Sequence, residues 1–276
     1  MWQIIQQIFQ TVFFTPIVNL LAALYILFDF LRLPGPLGFA VIGLTIVIRL
    51  ILYPLTLAQL KSAKKMTDLK PHLDLLSKKH KDDKQALQQA QMALYKDHGI
   101  NPAAGCLPIL IQFPVLIALY NVFYQVLNNG NLDKAIEAIN SVVYHPALKI
   151  VSLDLSFFGI NLGVKPSQWA TQGWWLLSIP VITGLLQWYQ TKLMLPGQTA
   201  VINSQPLDKK LIKPENNKQN AQPEDTAMEM QRQMAIISPI MFGFFAYQFP
   251  LGLALYWNVF GLFGIIQQLQ VNKIKK

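Results

Sequence analysis

Long apolar stretches alternate with polar ones along this chain, and their lengths decide its class. Leu37–Gln59, Asn101–Leu127, Gln168–Leu193, Gln233–Phe249 and Leu251–Gln270 each carry an apolar run close to the roughly 20 residues that a membrane-crossing helix needs. Runs this long and unbroken predict spanning helices, because barrel strands alternate polar and apolar residues at every step. The last two runs are separated only by QFPLG (248–252), where Pro250 and Gly252 force a tight turn and make a hairpin of spans.

The first 33 residues are apolar in a different way. Pro16 interrupts them and leaves a 15-residue piece, Ile17 to Leu31, that carries Asn19 and Asp29. That is short for a span, so residues 1–33 are predicted to hold an amphipathic helix lying in the membrane interface. An additional true span there stays open, and it would put the amino terminus inside without disturbing the rest. No basic n-region or small-residue cleavage site marks a signal peptide.

The polar stretches differ from one another. Residues 60–99 are rich in lysine and place Leu60, Ala63, Met66, Leu69 and Leu73, then Leu87, Ala90 and Leu94, at helical spacing. Two such stripes predict an antiparallel helical hairpin, bent at Pro71 and turning near His80–Asp83. Residues 129–167 form an external loop with few lysines. Residues 194–232, rich in Pro, Asn, Gln and Lys, are expected to be disordered. A short basic tail, residues 271–276, ends the chain.

Charge orients these pieces. Charged residues make up only 13% of the 276 while apolar ones make up 53%. Soluble domains carry roughly 25% charged residues. The formal net charge is +9, and in a membrane protein such lysines set topology and lie near anionic lipid, so no direct nucleic-acid ligand is needed to explain them. Lysine and arginine number 18 on the side of 60–99, 194–232 with Lys192 at its boundary, and the tail, against 4 on the other. The positive-inside rule then places the amino terminus outside and the carboxyl terminus in the cytoplasm, and five spans fit that parity.

Little in the composition suggests catalysis. One cysteine, Cys106, and four scattered histidines provide neither a disulfide framework nor a metal-ligand spacing. No phosphate-binding glycine loop and no nucleophile elbow is present. The expectation is a non-enzymatic protein without cofactor or metal.

One residue stands against this background. Arg49 lies inside GLTIVIRLILYPL (43–55), where a permanent cation costs on the order of 3 kcal/mol on insertion scales. Such a residue must face protein or water and needs polar company. Thr45, Gln112, Gln187, Gln190 and Asn258 are the polar residues that the spans offer, and no Asp or Glu lies deep in any of them. A cation without a resident acid is free to attract an acidic visitor. Two plainer readings stay open: Arg49 bonding carbonyls freed by Pro54, and the amides acting as interhelical glue.

Four segments then carry a resemblance. IRLILYPLT (48–56), MALYKDHGINP (92–102), GCLPILIQFPVLIALY (105–120) and QFPLGLALYWNVFGLFGIIQQ (248–268) together resemble the YidC/Oxa/Alb family of membrane protein insertases, in the family's order and from about Leu37 to Gln268. The resemblance implies an all-α polytopic fold in a bacterial cell membrane. Its parts are a core of five transmembrane helices, an interfacial amino-terminal helix and a cytoplasmic helical hairpin at 60–99. It implies a hydrophilic groove, open to the cytoplasm and to lipid, whose arginine matches Arg49 and whose tryptophan in some relatives matches Trp257. For Trp257 an interfacial anchor is the competing reading. The implied work is insertion and folding of nascent membrane proteins with short, often acidic outer segments. It is done alone or beside the SecYEG translocon and without nucleotide hydrolysis, and the signal recognition particle receptor and the ribosome are further implied partners. The sequence departs from relatives that carry a large periplasmic domain ahead of the core, and its tail VNKIKK is shorter than the long basic tails found elsewhere in the family.

Overall fold

The structure is a computed structural model of the chain that describes residues 2–80, 83–99, 107–129, 132–194 and 223–273. Of the stretch 194–232 expected to be disordered, residues 195–222 lie outside the described residues, as does Cys106. Residues 223–232 are helical and open the helix Pro223–Gln248, which corrects that part of the expectation. Helices α1 (Trp2–Phe9) and α2 (Thr15–Phe30) are joined without a break by a π-helical turn, Gln10–Phe14. Pro16 was expected to interrupt the chain here, but it sits in the first turn of α2, and the π turn absorbs the hydrogen bond that proline cannot make. The continuous stretch Gln6–Phe30 is long and apolar enough to cross a membrane.

Proline also shapes the next pair, in the opposite sense. Helix α3 (Pro36–Ile51) and helix α4 (Tyr53–Asp68) meet at Leu52 with a bend of 64°. Pro54 cannot donate to the carbonyl four residues before it, and its ring crowds that turn. Leu37–Gln59 is thus a broken helix, and Arg49 stands in the last turn of its first half rather than in the middle of a straight rod.

From α4 the chain enters the polar hairpin. Helix α5 (Lys70–Lys79) starts anew after Leu69 with Pro71 in its first turn, so the predicted bend falls where proline demands it. Helix α6 (Lys84–Asp97) is capped by Asp83, whose carboxylate accepts from the Gln85 and Ala86 N–H groups at 3.0 Å each. Leu69 and Leu87 are buried, and α5 packs on α6.

Four helices complete the body: α7 (Leu107–Asn129), α10 (Ser178–Met194), α11 (Pro223–Gln248) and α12 (Leu251–Lys273). Of these, α12 is long and apolar enough to cross a membrane, and α7 and α11 contain shorter apolar stretches at Phe113–Tyr124 and Ile236–Gln248. Helix α10 packs against both α11 and α12, and α12 packs against α3. The run expected to begin at Gln168 settles into one long helix only at Ser178. Short turns, including α9 (Trp169–Gln172), precede it and expose Trp169, Trp174 and Trp175, as side chains at a membrane–water boundary do.

The segment between α7 and α10 builds a cap over one end of the bundle. Helix α8 (Leu132–Asn140) buries Ala135 and Ile139 against the core, and a two-stranded hairpin pairs Ser156 with Asn161. Asn19 donates to the Val142 carbonyl at 3.0 Å and accepts from the Tyr144 N–H at 2.7 Å. Tyr25 donates to the Ser152 carbonyl at 3.0 Å and accepts from the Asp154 N–H at 2.9 Å. The cap also holds the turn between α11 and α12, because Leu251 and Gly252 donate to the carbonyls of Val164 and Leu162 at 2.9 Å. Gly252 is required there, since any Cβ at this position would lie inside the Phe123 ring.

Candidate functional site

Arg49 is only 5% exposed, so its partners must come from the protein or from something the protein admits. Its Nη1 donates to Gln267 Oε1 at 3.0 Å and its Nη2 donates to the Phe260 carbonyl. The guanidinium carbon lies 3.5 Å from the centroid of the Phe260 ring, a cation–π contact that stabilises charge without neutralising it. All three contacts are made by α12. The bend at Leu52 brings the end of α3 against that helix, and Gly264 leaves the space. A Cβ on Gly264 would overlap the Gln190 amide of α10 and come within 3.0 Å of Arg49 Nη2.

Two contacts do not satisfy a guanidinium. Arg49 Nε is buried without a partner among the described residues, and so are Gln59 Nε2, Asn258 Oδ1, Gln268 Oε1 and Trp257 Nε1. Each buried polar atom left unpaired costs about 1–3 kcal/mol. Such atoms, on α3, α4 and α12, call for water or for the polar groups of a guest. Among the described residues, no carboxylate pairs with Arg49.

The polar residues singled out from the sequence separate into groups. Arg49 and Gln190 meet at Gly264. Thr45 is fully buried and donates to the Val41 carbonyl of its own helix at 2.7 Å, which engages its hydroxyl proton. Gln187, one turn before Gln190, donates to Ser238 Oγ of α11 at 3.3 Å. Trp257 sits among Phe242, Phe245 and Phe249 at centroid distances of 5.7, 6.2 and 5.8 Å. Gln112 lies on α7, but its side chain falls outside the described residues.

Gln267, Thr56, Gln59, Gln268 and Phe260 were not singled out. Gln267 and Gln268 close the last apolar run beside a basic tail, and Gln59 ends the first beside the lysine-rich hairpin, where polar residues are ordinary. The available signal was spacing: Gly261, Gly264 and Gln268 follow Asn258 at three- and four-residue steps, and mark one face of α12 as narrow and polar. Among the described residues no three His, Cys, Asp or Glu side chains gather as a metal site.

Comparison with known proteins agrees with this architecture. Residues 30–276 match the model of the family described as 60Kd inner membrane protein. A membrane protein insertase YidC of Oceanobacillus iheyensis is 33% identical over 241 residues, which cover 86% of this chain and 74% of that protein. The membrane protein insertase MisCA of Bacillus subtilis is 35% identical over 239 residues, 85% of this chain and 70% of the relative. The YidC of Pelagibacter ubique is 31% identical over 249 residues, which cover 90% of this chain but only 38% of that longer protein.

Proposed function

We propose a function from one premise: the chain belongs to the 60Kd inner membrane protein family, and its curated relatives are named membrane protein insertases. It is an all-α membrane protein of that family, and it inserts and helps fold integral membrane proteins. The polar face around Arg49 receives the hydrophilic outer segment of a client while the client's apolar helix moves into lipid. One observation supports this above the others. A buried guanidinium has no carboxylate partner among the described residues and keeps its Nε unpaired there, and α12, which supplies its contacts, carries further unpaired polar atoms.

Magnitudes fit such a role. A client carboxylate about 4 Å from the guanidinium gains roughly 4 kcal/mol at an effective dielectric near 20, and less where water intervenes. That attraction biases an acidic segment into the site and still permits release. Water-solvated polar groups shorten the dry path that polar backbone must cross, which is the main barrier to insertion. Burial of the client's apolar helix drives the process, with no call for nucleotide hydrolysis.

In this reading the amino terminus and the cap face the outside, and the lysine-rich hairpin and carboxyl terminus face the cytoplasm. The cap bonds α2 at Asn19 and Tyr25, so in this reading that part of α2 lies on the outer side. The hairpin exposes Leu75 and Met92 and offers apolar contacts to arriving clients, to SecYEG and to targeting factors.

A second reading rests on the bond to the Phe260 carbonyl: Arg49 as a clamp that holds α3 to α12. Reconstituted Arg49→Ala protein separates the two. Protease protection is measured for two short single-span clients that differ only in having an acidic or a neutral outer tail. Selective loss of the acidic client supports reception of the tail, whereas equal loss of both supports the clamp.

A further inference from the structure

The bend at Leu52 places two side chains on opposite sides of a break in the backbone, and one residue of another helix touches both. Arg49 ends α3 and Thr56 lies in the first turn of α4. Gln267 of α12 accepts from Arg49 Nη1 at 3.0 Å and donates from Nε2 to Thr56 Oγ1 at 3.4 Å. The Thr56 hydroxyl donates its own proton to the Tyr53 carbonyl at 3.0 Å, which leaves its lone pairs to the amide. Gln267 is 6% exposed, so neither end of its amide finds a ready substitute in bulk water.

From this chain of bonds we infer that Gln267 is a positioning residue for client capture. It holds the guanidinium at the bend and sets how much of that cation a client's acid meets. The inference rests on the proposed reception of acidic tails by Arg49. The amide suits the task because it is neutral: its oxygen orients the guanidinium without cancelling the charge, and its nitrogen anchors the assembly to α4. A carboxylate of the same length would orient the guanidinium but cancel its charge, and would lose the N–H donor that reaches Thr56. It would sit beside Arg49 as a built-in counter-ion and compete with every acidic visitor. An asparagine, one carbon shorter, would not reach both partners.

The test uses full-length protein in proteoliposomes and the same pair of clients. Gln267→Glu is expected to lower insertion of the acidic-tail client about tenfold more than that of the neutral-tail client. Gln267→Asn is expected to do the same more weakly. In an Arg49→Ala background Gln267→Glu should bring no additional selective loss, since the cation it quenches is gone. Equal loss of both clients with Gln267→Glu, or a selective loss that persists without Arg49, would overturn the inference and leave Gln267 as a packing residue. Should Arg49→Ala alone treat both clients alike, the reading of Arg49 fails and takes this inference with it. A selective Arg49→Ala effect with an unselective Gln267→Glu effect refutes the role of Gln267 alone.

Discussion

The capped end of the bundle and the end around Arg49 are built from similar residues and solve opposite problems. At the cap, Asn19 and Tyr25 each use one side chain to donate and accept across more than 120 residues of sequence, and Asn140 does the same locally with Ile150 at 2.9 Å in both directions. Apolar and aromatic side chains fill the space between them. On the helices that meet around Arg49, by contrast, Arg49, Gln59, Trp257, Asn258 and Gln268 each keep a buried polar atom without a partner among the described residues. A buried polar group that is satisfied rigidifies a fold, and one that is not waits for something to bind. In the proposed reading, the difference separates the end that seals the bundle from the end that admits a guest.

The sharpest way to break that comparison is to remove the charge. Arg49→Glu should lower insertion of acidic-tail clients by more than tenfold relative to neutral-tail ones, by protease protection, with Arg49→Ala in between. Arg49→Lys should keep more activity than Arg49→Ala, because a point cation remains.

A methyl group added at each end sharpens it next. Gly252→Ala drives a Cβ into the Phe123 ring and should destabilise the protein by about 1–3 kcal/mol, read as a lower melting temperature in detergent. Gly264→Ala meets chiefly the mobile ends of Gln190 and Arg49. It should leave the melting temperature nearly unchanged while lowering insertion of acidic-tail clients.

Smaller effects follow. Asn19→Ala strips the Val142 carbonyl and the Tyr144 N–H of their partner and should cost about 1–3 kcal/mol, seen as faster proteolysis between residues 142 and 154. Asp83→Ala removes the cap of α6 and should cost about 1 kcal/mol of local helix stability, measured by amide exchange in the hairpin. Insertion should change least of all.

The sequence disclosed what depends on neighbours along the chain. Apolar runs, the turn at Pro250 and Gly252, the break at Pro71 and the unmatched charge of Arg49 were all legible, because proline geometry and span length act locally. Pro54 gave the material for the bend at Leu52, but its size depends on how α4 packs against α12. Asn19 read as a polar blemish suited to an interface, since nothing nearby hints that its partners lie at Val142 and Tyr144. Gln267 was hidden for a different reason. A glutamine near the end of an apolar run looks like the run's border, and only the fold shows it reaching Arg49 and Thr56 at once.

The central claim is that polar space around Arg49 is reached by water from the hairpin side while the capped interior stays dry. Cysteine placed singly at Gln190, Asn258 and Ala22, with Cys106 replaced by alanine, measures this directly in native membranes through reaction with an impermeant maleimide added on the hairpin side. The account predicts labelling at 190 and 258 and none at 22. Protection of 190 and 258 to the level of 22 would contradict it.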